Sequence, residues 1–124
     1  MSGETDVAAR LRTAYERRDL AGLRPLLADD VRWGSDDHPN RCRNPDDVLR
    51  TFARGLNAGA SADVLAVHTA PAGVAVQVRV HWPDPGDLPR GEEFFHVFLL
   101  RDGRVAEIRR YDDEASAQQA IAGG

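Results

Sequence analysis

Three places in the sequence carry side chains that could do chemistry. His96 lies in "EEFFHVFLLRDGRV", residues 92–105, flanked by Phe94, Phe95, Val97 and Phe98. Apolar surroundings disfavour the charged imidazole, whereas a nearby carboxylate favours it. A neutral ring can donate a hydrogen bond to a developing oxyanion or accept a proton from carbon or water. The structural alternative is a core histidine satisfied by Tyr15 or by a backbone carbonyl, because buried polar groups are paired whatever their function. The second place is "WGSDDHPNRC", residues 33–42, with Asp36, Asp37, His38 and Cys42 close together. One of its carboxylates could act as a base, although Asp, Pro and Asn also make ordinary turns. Zinc sites need three or four well-placed ligands, and nothing elsewhere supplies them at recognisable spacing, so no metal is expected. Cys42 has no identifiable activating partner and reads as a packed thiol. The third is Tyr15, which shares a four-residue repeat with Val7 and Leu11 and so faces inward.

Positioning these groups is the work of a few elements. The repeat of Val7, Leu11 and Tyr15 predicts an amphipathic helix over residues 5–18. "DLAGLRPLLADD" predicts a short second helix capped by Asp19 and kinked at Pro25, which lacks a backbone donor. "NPDDVLRTFARGLNAG" carries Asn44 as N-cap, Pro45 at the first helical position, two aspartates in the first turn and Gly59 beyond the end. Its apolar face holds Val48, Leu49, Phe52 and Leu56. After residue 60 the period becomes two. "ADVLAVHTA" is a strand, and "GVAVQVRVHW" puts Val74, Val76, Val78, Val80 and Trp82 on a buried face and Gln77, Arg79 and His81 on the other. A proline-broken connection, residues 83–91, and an Asp102-Gly103 hairpin turn follow, so three antiparallel strands are expected in order. "DEASAQQAI" predicts a short C-terminal helix.

Composition narrows the function classes. The 124 residues suit one domain, with no second domain required. The sixteen basic residues are all arginine, which removes side-chain Schiff-base chemistry and the lysine of phosphate-binding loops. A net charge of −4 without a basic stripe argues against nucleic acid. No apolar run approaches the ~20 residues of a membrane span, and the N-terminus does not look like a secretory signal. With a single cysteine, the expected location is cytoplasmic.

Helices followed by an antiparallel meander imply an α+β domain with helices covering a curved sheet. In order and spacing, "AYERRDLAGLRPLLADDVRW", "NPDDVLRTFARGL" and "FFHVFLLRDGRVAEIRRYDDEASA" resemble the nuclear transport factor 2-like superfamily, in particular its SnoaL-like and ketosteroid isomerase-like branches. The resemblance implies a cone-shaped α+β barrel, a strongly curved, mostly antiparallel sheet whose concave face is covered by the N-terminal helices. It implies that Tyr15 matches the isomerase oxyanion tyrosine. The isomerase base falls on Ser35, one step before Asp36, the second oxyanion donor on His96, and the supporting tyrosine on Phe52. One match in four argues against a ketosteroid isomerase. The same register sets Val74, Val76, Val78, Phe94, His96, Phe98, Ile108 and Arg110 on the concave face. An inward arginine needs a partner, which could be Asp36, Asp112 or an anionic group on a ligand.

Two readings of function follow. In the first, Tyr15, Asp36 and His96 converge on an apolar cavity also lined by Trp33 and Phe52. They carry out cofactor-independent isomerisation, cyclisation or dehydration of a small apolar carbonyl compound such as a polyketide. Asp36 or His96 would remove the proton while Tyr15 stabilises the enolate. In the second, the chain is a non-catalytic homodimer that binds a ligand or partner, with Gln77, Arg79 and His81 on the face available to a second copy.

Overall fold

The computed structural model describes residues 3–33, 43–57, 61–81 and 92–122. Asp36, Asp37, His38, Cys42, Gly59, Trp82 and the 83–91 connection lie outside the described residues.

Helix α1, Gly3–Arg17, buries Val7, Ala8 and Leu11, the stripe set by the four-residue repeat. Arg18 then takes a left-handed backbone conformation with φ 54°, and the Asp19 amide reaches back to the Ala14 carbonyl at 3.0 Å. That closure satisfies an end carbonyl and turns the chain at once into the next cap. Asp19 Oδ1 accepts from the Gly22 amide at 2.9 Å and starts α2, Leu20–Leu23. A 3-10 turn at Arg24–Leu26 takes over at Pro25, the expected break. Strand β1, Leu27–Trp33, leads toward α3, Pro45–Asn57. Here Asn44 Oδ1 accepts from the Asp47 amide at 2.9 Å, as its N-cap position requires. An Asn44→Ala variant should therefore lose about 1 kcal/mol of stability, read as a lowered urea midpoint at unchanged slope.

Strands β2 (Ser61–Ala70), β3 (Gly73–His81), β4 (Glu92–Arg101) and β5 (Arg104–Tyr111) form an antiparallel meander of four strands, not three. Asp102 and Gly103 both adopt positive φ, 55° and 79°, which matches the tight hairpin that Asp-Gly favours. The sheet order is β1-β5-β4-β3-β2, and β1 joins β5 in parallel. The sheet is open: β1 and β2 are its two edges, so it does not close into a barrel. Helix α1 packs over β2 and β3, while α3 packs against β1.

Cross-strand register builds the inner face row by row. One row runs Val67, Val76, His96, Arg110, and the next runs Thr69, Val74, Phe98, Ile108, Trp33. Val74, Val76, Val78, Phe98 and Ile108 pack with Leu11, Val31 and Val48 into the main core. A second, smaller core occupies the other side of the sheet. Helix α4, Glu114–Ile121, presses Ala117 and Ile121 onto Ala75, Phe95 and Val97. Its N-cap Asp113 accepts from the Ser116 amide and hydroxyl, which holds that carboxyl below its ordinary range. Thus β4 is apolar on both faces because both are covered. No helix among the described residues is long and apolar enough to cross a membrane.

Candidate functional site

His96 is the only buried polar or charged side chain among the described residues. It reaches the core face because strand alternation puts it between Phe94 and Phe98, opposite Val76 on one side and Arg110 on the other. Around the imidazole stand five aromatic rings. Phe94 lies 4.8 Å away between centroids, Trp33 5.4 Å, Tyr15 and Phe52 6.1 Å each, and Phe98 6.2 Å. Phe52 comes from α3 and meets Tyr15 edge to face at 5.9 Å. It therefore supports the tyrosine through ring contact, not through the hydrogen bond a tyrosine would offer there.

The Tyr15 hydroxyl and His96 Nδ1 are 2.5 Å apart. Which atom donates follows from the partners present. If Nδ1 carried the proton, the phenolic hydrogen would have no acceptor among the described residues. Donation from Tyr15 to Nδ1 satisfies both groups, and it leaves the ring proton on Nε2. His96 Nε2 has no hydrogen-bond partner among the described residues. It is not sealed either, because the only fully enclosed, unpartnered side-chain nitrogen or oxygen among them is His68 Nε2. The site therefore presents an N–H donor.

Electrostatics agree with that assignment. Burial first, and the positive charge of Arg110 second, push the His96 ring down from its ordinary 6.5 to about 3. Burial pushes the Tyr15 phenol well above its ordinary range. Both groups are thus neutral at physiological pH. An imidazole so hard to protonate is a poor general base, because proton transfer works best near the operating pH. As a neutral donor to a developing oxyanion it suits well.

The expected lining residues divide into two sets. Val76, Val78, Phe98 and Ile108 have almost no exposed surface and form the wall behind the pair, with Phe94 little more exposed. Trp33 and Phe52 are only half-buried. They retain surface that a ligand could touch. Arg110 also faces this side: its guanidinium carbon sits 4.1 Å from the Phe94 ring centroid, and Nε lies 3.5 Å from Asp112 Oδ1. Of the expected partners Asp112 is therefore present, as an exposed carboxylate, and the Phe94 ring is a further contact that was not expected. Asp36, the expected base, lies outside the described residues. Among the described residues no group of three or more His, Cys, Asp or Glu side chains could hold a metal ion.

The histidines without supporting context in the sequence lie away from the site. His81 Nε2 meets Asp63 at 3.0 Å on the outer face, beside the Arg79–Glu93 ion pair. His68 Nε2 is 3.4 Å from Glu114 Oε1 at the start of α4, within ion-pair range but out of line for a hydrogen bond.

Comparison with solved structures places the fold. An NTF2-like protein of unknown function from Burkholderia pseudomallei superposes with a TM-score of 0.67 at 24% identity, over 98% of both chains. A candidate polyketide cyclase from Sinorhizobium meliloti gives 0.67 at 19%, over 89% of this chain and 99% of that one. An LEH-like epoxide hydrolase from M. tuberculosis gives 0.62 at 17%, over 96% and 84%. At these identities the likeness establishes an α+β fold of the nuclear transport factor 2-like type. No curated protein matches the sequence. A family model does match, and it spans residues 8–108, from the first buried turn of α1 through the His96 strand to Ile108. The chain belongs to the SnoaL-like domain family.

Proposed function

We propose that the chain binds a small apolar carbonyl compound against Trp33, Phe52 and His96 and acts on it by cofactor-independent acid-base chemistry of the isomerase, cyclase or dehydratase type. One observation carries the reading: a buried imidazole, held neutral and oriented by Tyr15, keeps its Nε2–H unused among the described residues. A buried polar group without an internal partner is costly, so a ligand oxygen there would be bound with gain. His96 would donate to the substrate carbonyl and stabilise the enolate as it forms. Tyr15 would be a positioning residue that fixes the tautomer, a reversal of the roles expected from sequence. The base would be Asp36, from the segment that follows Trp33.

A second reading, a binding module without catalysis, is favoured by one fact. His96 being the only buried polar side chain, the described residues supply a donor but no buried carboxylate to take a proton. Both readings predict binding. In a thermal-shift series with small ketones, epoxides and polyphenols, a ligand at about ten times its Kd should add roughly 1.4 kcal/mol to the wild type. The shift should vanish in a folded His96→Ala variant. Turnover lost in Asp36→Asn with binding retained would select the enzyme, and ligands that bind without turnover would select the module. A ligand shift that survives His96→Ala would remove His96 from the site.

A further inference from the structure

Strand β2 leaves one edge of the sheet open. It runs from Ser61 to Ala70, and among the described residues its only strand partner is β3. A row of backbone N–H and C=O groups therefore faces outward, a template on which another strand can pair. The opposite edge, β1, is blunted by exposed Asp29, Asp30 and Arg32. β2 has only Asp63 and His68 for that purpose. It also carries Leu65, the one exposed large hydrophobic side chain among the described residues, at 41%. Val64 and Val67 pack at the margin of the main core and are only half-buried.

The edge is irregular, and the irregularity selects the partner. Val64 stands opposite Val78 and Ala66 opposite Gln77, so Leu65 is an extra residue without a counterpart on β3. The bulge switches the alternation: Ala62 and Val64 face inward before it, Val67 and Thr69 after it. A regular strand must skip a residue there, as β3 does. A second copy laid antiparallel carries the same break and needs no skip. With a two-fold axis between Leu65 and Ala66, Val64 meets the partner's Val67 and Ala62 meets the partner's Thr69. On the outer side Asp63 meets the partner's His68, and Leu65 meets the partner's Ala66. Apolar thus meets apolar at the centre, and a carboxylate meets an imidazole on each side of the axis. A slip of one residue in either direction sets inward positions against outward ones. Within one protomer Asp63 uses one carboxylate oxygen, which lies 3.0 Å from His81 Nε2, and its side chain stays 67% exposed. His68 Nε2 makes no hydrogen bond.

We propose that the protein pairs with a second copy of itself, edge to edge through β2, in this antiparallel register, joining the two five-stranded sheets into one continuous sheet across a two-fold axis. This surface is distinct from the face bearing Gln77, Arg79 and His81, and it does not depend on what the cone binds.

Sedimentation velocity over a dilution series of the full chain should show a dimer at tens of micromolar that dissociates on dilution. Hydrogen exchange at the same concentrations should show concentration-dependent protection at alternate β2 amides, the set that does not bond to β3. Leu65→Lys, which brings two like charges to the axis, should weaken the dimer about tenfold or more. Asp63→Lys should weaken it too, and adding His68→Asp should restore it. Residues 63 and 68 lie about 15 Å apart along one strand, so that rescue can come only from across the axis. A folded protein that stays monomeric at every concentration would overturn the second copy as occupant and leave the edge to a foreign strand. A dimer whose β2 amides exchange at the same rate at all concentrations would overturn the edge in favour of another face. A dimer weakened by Asp63→Lys and not rescued by the second change would overturn the register.

Discussion

Taking the protein from about pH 6.5 to about pH 4.5 should cost about 2 kcal/mol of folding stability through His96 alone, with a slope that steepens toward about 1.4 kcal/mol per pH unit. The ring titrates near its ordinary 6.5 when the chain is unfolded but near 3 when it is folded. Well above pH 6.5 it is neutral in both states and contributes no pH dependence. Below, the unfolded chain takes up a proton that the folded protein cannot, so unfolding gains ground with each unit. The loss levels off below about pH 3, where the folded ring also protonates. Burial causes most of this, and among the described residues the groups facing the ring do not offset it: Tyr15 offers a neutral hydroxyl and Arg110 a like charge. In a His96→Gln variant, whose amide can still accept from Tyr15, this increment should disappear. Every other ionisable group is common to both proteins, so the difference between their urea-derived stabilities isolates His96. Equal pH slopes in the two proteins would show that the folded ring protonates freely and that its enclosure is not as described.

The second large effect concerns Tyr15. Tyr15→Phe should lower turnover of an identified substrate by about a hundredfold or more, the usual consequence of losing a preorganised oxyanion donor or its orientation. It should also destabilise the fold by about 1–3 kcal/mol, because Nδ1 loses its partner within an apolar cluster. Stability loss alone would fit a purely structural tyrosine. The distinguishing signal is the tautomer. Nitrogen-15 spectra of wild type should show His96 protonated on Nε2, and Tyr15→Phe should shift population toward Nδ1–H, with kcat falling more than KM rises. An unchanged tautomer together with unchanged turnover would leave the tyrosine no positioning role.

Local pattern made much of this molecule legible. The Val7, Leu11, Tyr15 spacing defined the buried side of α1, Asn44-Pro45 the start of α3, and Asp102-Gly103 the hairpin, because caps, turns and periodicity are decided by residues near in sequence. Strand parity likewise put His96 and Arg110 on the same face as Val76 and Val78, and Gln77, Arg79 and His81 on the other. Phe95 and Val97 face away from His96 and are buried as well, so β4 is covered on both sides. The sequence could not say that α4 would supply that second cover.

Only the tertiary structure decided which of these groups meet. Tyr15 and His96 are 81 residues apart, and periodicity specifies a face but not the partner across it. The parallel union of β1 with β5, which brings Trp33 beside Ile108, depends on chain closure across the whole meander. The protonation state of His96 follows from desolvation by five rings drawn from four elements and from the charge of Arg110, and the tautomer follows from the one hydroxyl that reaches Nδ1. A histidine in an apolar strand was visible from the residues alone. That its ring is held neutral is a property of its surroundings, because solvation and charge are summed over neighbours in space.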